Sequence, residues 1–221
     1  MNNSPPIVHI VDDDESFRVA LGRLLRAEGF SVQLHHGAAD FLRAAGTRGP
    51  GCVILDLHMP ELNGLELQQA LAAMDNPLPV IFLTGKGDIP ASVQAIKRGA
   101  EDFLTKTARR EDILAAIGRA LSRDAEERPR HRRVQELRHR FATLSPRERE
   151  VLSHVVRGRM NKQIAGDLGI HERTVKLHRT AITSKLEVPS VAELTQLVQE
   201  TGWSPGSALP ENLSASRPTF P

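Results

Sequence analysis

Ile7-Val8-His9-Ile10-Val11-Asp12-Asp13 opens the chain with a short apolar run that closes on two carboxylates. The device recurs: Cys52-Val53-Ile54-Leu55 runs into Asp56, Val80-Ile81-Phe82-Leu83 into Thr84, and Asp102-Phe103-Leu104-Thr105 into Lys106. A further, weaker run spans Phe30–Leu34. Short β-branched runs of this kind predict strands covered on both faces of a sheet. Between them Val19, Leu21, Leu24 and Leu25, then Leu65, Leu67, Leu71 and Met74, recur at near-helical spacing. Strand–helix alternation predicts an α/β unit, a parallel doubly wound sheet with helices on both sides.

The polar residues that end the runs are separated by 44, 28 and 22 positions. A βα unit takes roughly 20–30 residues, so the first interval holds two units and the others one each. Asp12, Asp13, Asp56, Thr84 and Lys106 then converge at the carboxyl edge of the sheet, where open α/β sheets bind ligands. Clustered carboxylates repel one another unless a cation lies among them, and an all-oxygen set suits Mg²⁺. A carboxylate beside Mg²⁺ can attack phosphorus, with the Thr84 hydroxyl and the Lys106 ammonium neutralising and orienting the phosphoryl oxygens. Taken singly these residues have plainer uses. Asp12–Glu15 also suits a cap for the following helix, although one acid suffices for a cap; Thr84 alone reads as a strand end and Lys106 alone as a solvated lysine.

Val11-Asp12-Asp13, Asp56-Leu57-His58-Met59-Pro60 with Asn63-Gly64, Thr84-Gly85 and Asp102–Lys106 together resemble the receiver domain of two-component response regulators over about residues 5–122. That resemblance implies a five-stranded flavodoxin-like sheet with Asp56 as phosphoacceptor. It implies Mg²⁺ held by Asp12, Asp13, Asp56 and the backbone carbonyl of His58, with Thr84 and Lys106 on the phosphoryl group. Phe103 would be the aromatic that changes rotamer on activation, and His58 and Lys86 would tune phosphoryl lifetime. The family commonly has a proline, often cis, after the lysine; here Thr107 stands there. A cis bond without proline costs roughly 2.5–4 kcal/mol, so a trans bond and a differently shaped loop are expected.

From about Thr143 the pattern changes to short helices near 146–157, 161–168, 172–185 and 190–200, an all-α unit. Ser145-Pro146-Arg147-Glu148 carries an N-cap, a proline at the first helical position and a capping box. Asn161–Leu168, a glycine turn, and a basic helix carrying Arg173, Lys176, Arg179 and Lys185 form a helix-turn-helix pattern. A solvated interaction module would show a similar basic face. Leu144–Leu152, Asn161–Ala165 and Arg173–His178 resemble the LuxR-type DNA-binding domain of the FixJ/NarL class over about residues 140–201. By that resemblance Lys176, Leu177, His178, Arg179 and Thr180 read bases of double-stranded promoter DNA, while Thr174 and Lys185 contact phosphates. The last helix, with Val191, Leu194, Leu197 and Val198, resembles the one through which such domains dimerise; the same stripe also suits intradomain core.

Between the two patterns, residues 123–142 are expected to form a basic helical linker, with Pro129 starting that helix or breaking it from the one before. The division assigns 5–122 to the receiver, 143–201 to the DNA-binding domain and 202–221, rich in Ser and Pro, to a disordered tail. The net charge of +2 hides −3 over residues 1–121 and +5 over 122–221; the linker carries +3 of the latter. One cysteine, Cys52, excludes an intrachain disulfide and a paired-cysteine zinc site. No apolar run approaches the ~18 residues that span a bilayer, and no basic-then-apolar leader opens the chain, so a cytoplasmic protein with no membrane partner is expected.

The combined expectation is a regulator rather than an enzyme. A cognate sensor histidine kinase phosphorylates Asp56, a homodimer forms when phosphorylated, and the dimer binds promoter DNA with RNA polymerase as a further partner. A phosphohydrolase with an aspartyl-phosphate intermediate is the rival enzyme, although such enzymes commonly place an acid where His58 stands. A phosphorylation-independent DNA-binding regulator is the other rival.

Overall fold

The computed structural model describes residues 5–44, 49–73, 78–85, 89–201 and 203, apart from the side chains of Val191, Ala192 and Glu200. Met74, Lys86 and the tail from Ser204 onward, all read from sequence, lie outside the described residues, as does the Val191 side chain. The chain divides into two compact units, residues 1–132 and 133–221.

In the first unit β1 (Ile7–Val11), β2 (Ser31–His35), β3 (Gly51–Leu55), β4 (Val80–Thr84) and β5 (Asp102–Thr105) form one parallel sheet in the order β2-β1-β3-β4-β5. The connecting helices are α1 (Glu15–Ala27), α2 (Ala38–Arg43), α3 (Gly64–Ala72) and α4 (Ile89–Lys97), followed by α5 (Arg110–Ala142). Strand alternation sorts the apolar residues into two cores. Val53, Leu55, Val80 and Phe82 pack with Phe41, Leu67 and Ala95 on the α2–α4 side. Cys52, Ile54, Ile81 and Leu83 pack with Leu21, Leu25, Ile113 and Ile117 on the α1–α5 side. The two weaker apolar runs became the edge strands β2 and β5, which are only partly covered.

The α2 side also buries two histidines. His9 Nδ1 of β1 lies 3.1 Å from His35 Nε2 of β2, and both rings meet Phe41 edge-on at 5.3 and 5.1 Å. His35 in turn lies 3.8 Å from the Asp40 carboxylate.

Helix α5 corrects the expected break at Pro129: it runs unbroken from Arg110 to Ala142 with the proline inside. Proline removes one hydrogen bond and crowds the carbonyl of the preceding turn. Here that turn is bridged by a bidentate pair, Arg128 Nε and Nη2 to Asp124 at 2.9 and 2.7 Å. The expected separate linker is likewise divided: residues up to Arg132 belong to the first unit and those from Arg133 to the second. Buried Asp124 accepts from Gly51 N of β3 at 3.0 Å. Arg119 of α5 pairs with Asp102, and Arg123, within the expected linker, pairs with Glu101 of the first unit. Gly51 tolerates no side chain, because a Cβ would stand 2.0 Å from the Ile7 carbonyl oxygen.

The second unit comprises the end of α5 and α6 (Pro146–Val155), α7 (Asn161–Leu168), α8 (Glu172–Leu186) and α9 (Val191–Thr201). Its core joins Leu137, Phe141, Val151, Leu152, Ile164, Val175, Ile182, Leu186 and Leu194. The predicted capping box forms: Glu148 N donates to Ser145 Oγ and Ser145 N to Glu148 Oε2. Gly169 ends α7 in the left-handed region, φ 63°. The core also takes in Trp203, stacked on Phe141 at 5.8 Å between centroids, two residues beyond the boundary expected from sequence. The Ser/Pro-rich composition that follows concealed one large apolar side chain with a partner ring.

Candidate phosphoacceptor and DNA-binding sites

The strand order places a topological switch between β1 and β3, because the chain leaves β1 for β2 on one side and returns to β3 on the other. The residues ending those two strands therefore meet in the crevice. Asp12 and Asp56 are buried there and Asp13 is exposed, and the three offer carboxylate oxygens all within 4.8 Å of one another. Lys106 reaches in from the end of β5, with Nζ 2.9 Å from Asp12 Oδ1, 2.7 Å from Asp12 Oδ2 and 3.1 Å from Asp56 Oδ2. The loop that carries it is tied to β4 by Lys106 N donating to Thr84 O at 2.7 Å. No described peptide bond is cis, so Thr107 follows Lys106 through a trans bond, as the absence of proline predicts. Thr84 is fully buried and His58 is exposed.

Burial pushes the Asp12 carboxyl above its ordinary range, against the opposing pull of Lys106. Burial alone would lower Lys106, but hydrogen bonds to Asp12 and Asp56 outweigh it and hold the ammonium charged. Three carboxylates with one lysine leave net negative charge in a partly buried crevice, a donor set of oxygens alone that suits a hard divalent ion such as Mg²⁺. Asp12, Asp13 and Asp56 are the side chains that would hold it.

The acidic run also caps α1, but with a residue of its own. Asp14 accepts from Phe17 N at 3.1 Å, while Asp12 Oδ1 accepts from Asp14 N at 2.9 Å. Capping and site-building are thus shared among neighbours. Gly64 begins α3 directly beneath Asp56, where a Cβ would come within 2.4 Å of the Asp56 carbonyl oxygen. Phe103, half-buried on β5, leans on Phe82 at 5.7 Å between centroids. Its outer side lines a hollow with Ser92, Val93, Ile96, Lys97 and Asp102, beside exposed Ile89. Sequence reading missed Phe17, whose ring lies 4.7 Å from Lys106 Nζ. Its signal was an aromatic in the first turn after the acidic run.

In the second unit α8 buries Val175, Ile182 and Leu186, which turns Lys176, Leu177 and Thr180 outward; Leu177 is 64 % exposed. Thr174 and His178 are half-buried. Arg179 is turned back, donating to Asn161 Oδ1 at 2.8 Å at the start of α7. Lys185 is engaged too: it donates to Glu148 Oε1 and Oε2 at 2.9 and 2.7 Å. Burial opposes ionisation of Glu148, but Lys185 and the Ser145 N–H outweigh it and hold its carboxyl below the usual range.

Residues 8–118 match the family of response regulator receiver domains, and residues 142–198 match the bacterial regulatory proteins of the luxR family. The response regulator TmoT of Ectopseudomonas mendocina is 42% identical over 199 residues, covering 90% of each chain. The transcriptional regulatory protein FixJ of Azorhizobium caulinodans is 41% identical over 198 residues, 90% of this chain and 94% of that one. Among solved structures, the response regulator StyR matches with a TM-score of 0.66 and 44% identity over 89% of this chain and all of its own. Full-length FixJ from B. japonicum matches with a TM-score of 0.53 and 35% identity, covering 90% and 98%.

Proposed function

Because the chain belongs to the two-component response regulators of the FixJ/NarL class, a receiver joined to a LuxR-family DNA-binding domain, we propose that phosphorylation of Asp56 by a histidine kinase governs its sequence-specific DNA binding. The observation that carries this is the convergence of Asp12, Asp13, Asp56 and Lys106 on one sheet edge in a chain that also bears an outward-facing basic helix.

An Asp56 carboxylate oxygen attacks the phosphorus of a kinase phosphohistidine. A P–O bond forms, the P–N bond breaks, and the imidazole nitrogen leaves with the electron pair and takes up a proton. Asp12, Asp13, Asp56 and the His58 carbonyl would hold Mg²⁺, which supplies charge neutralisation for the phosphoryl oxygens. Lys106 adds a positive charge from within the chain, and the Thr84 hydroxyl binds the phosphoryl group as it arrives. The added charge, about −1.5 to −2, draws Thr84 and Lys106 inward and lets Phe103 turn into the space vacated. The exposed Ile89, Val93 and Ile96 beside it form the face through which a phosphorylated homodimer assembles.

Two receivers so joined bring two recognition helices onto a two-fold related promoter site. Lys176, Leu177, His178 and Thr180 read base edges there, Thr174 contacts the backbone, and Arg179 reads a base if it releases Asn161. RNA polymerase is the downstream partner, and the cytoplasm the compartment. Among the described residues no helix is long and apolar enough to cross a membrane. The test is promoter selection and binding with and without acetyl phosphate. Asp56→Asn abolishes the phosphate-stimulated gain while leaving the fold intact, and full stimulation in that variant sinks the mechanism.

A further inference from the structure

Among the described residues the Lys106 ammonium has three polar contacts, and two of them are to Asp12. Asp12 is also a carboxylate that a divalent cation requires, so cation and ammonium compete for the same oxygens. The contact that escapes this competition is apolar. The Phe17 ring centroid lies 4.7 Å from Lys106 Nζ, within the range of a cation–π interaction. Phe17 is itself fixed by the site. Its N–H donates to Asp14, whose own N–H donates to Asp12, and its half-buried ring packs against the α1–α5 core.

We propose that Phe17 is a positioning residue for Lys106: its ring holds the ammonium over Asp56 when Asp12 is drawn to the cation. The proposal rests on the phosphoacceptor reading above. In the resting crevice the ring and the carboxylates of Asp12 and Asp56 all contact the ammonium, and the lysine side chain is 16% exposed. Once Asp12 turns away, Asp56 at 3.1 Å and the ring remain as its partners. A freely rotating lysine would need to be re-aimed at each phosphoryl transfer; the ring keeps it in place beforehand.

The test uses the full-length chain. Phe17→Leu keeps apolar bulk and removes the ring's negative face, and Phe17→Tyr restores a ring. In the wild type the Lys106 ε-methylene proton resonances are expected upfield, shielded by the ring with or without Mg²⁺, and Phe17→Leu returns them to the ordinary lysine position. The rate of Asp56 labelling by acetyl phosphate, with release of acetate, falls in Phe17→Leu on the order of three- to thirtyfold. Phe17→Tyr recovers most of that loss. In a Lys106→Met background Phe17→Leu changes the labelling rate no further, because the effect runs through the ammonium. Unshifted ε-methylene resonances in the wild type, or an undiminished Phe17→Leu effect without Lys106, overturns the assignment. A labelled wild type with an unaffected Phe17→Leu overturns Phe17 alone. A wild type that takes no label at Asp56 overturns the phosphoacceptor reading along with it.

Discussion

Replacing Lys185 with methionine removes the ammonium that holds both oxygens of Glu148, leaving a buried carboxylate held by Ser145. The second unit is expected to lose about 1–3 kcal/mol in urea unfolding. A lysine that merely touched DNA phosphate would leave stability unchanged and reduce the salt dependence of binding by about one ion. Lys176, by contrast, is exposed, and among the described residues it pairs at 3.6 Å with exposed Glu172. Lys176→Ala is therefore expected to leave stability alone and to weaken binding at the selected promoter site more than at random DNA. Competition titrations measure the ratio, and equal losses on both refute base reading. Sequence shows a residue's type and neighbours along the chain, not its partner in space. That is why Asp12, Asp56 and Lys106 were legible as a set, each at a strand end, while the engagement of Lys185 by Glu148, 37 positions away, was not.

At the scale of elements, β1 and β2 each commit a histidine to the core, and the pair should make the receiver sensitive to acid. Burial, with His35 adding to it, lowers the pKa of His9 to about 4 from an ordinary 6.5. Between those values the unfolded chain binds a proton that the folded chain refuses, so stability is full above about pH 6.5 and declines as the pH falls toward 4. His35, also lowered chiefly by burial, acts in the same direction. His9→Leu is expected to flatten the slope. The difference between the two unfolding profiles grows by on the order of 1–3 kcal/mol across that window. Parallel profiles would show that His9 titrates normally in the fold. The central strands were legible because apolar residues cover both faces, while β2 and β5 read weakly because an edge strand is only half covered. The continuity of α5 was illegible for the opposite reason. Proline is a local breaking signal, whereas the Asp124–Arg128 fork that spans the turn before it is anchored on Gly51, 73 positions from Asp124.

At the scale of the whole molecule, the acidic front and basic rear resolve into two units with separate cores. Within the linker Arg128 pairs with Asp124, and Arg123 pairs outside it with Glu101 of the first unit. The two-domain plan was visible because hydrophobic periodicity changes near Thr143. The C-terminal boundary was not, because Trp203 has to be seen against Phe141. The chain has no tyrosine and a single tryptophan, and that indole belongs to the second core. Emission excited at the red edge of the indole band therefore reports the second unit alone, while far-ultraviolet circular dichroism reports both. Heating one sample under both probes separates the two meltings without cutting the chain. Asp56→Asn is expected to leave the indole transition in place, and destabilising the receiver through Gly64→Ala is expected to shift the dichroism curve while the fluorescence curve stays where it was.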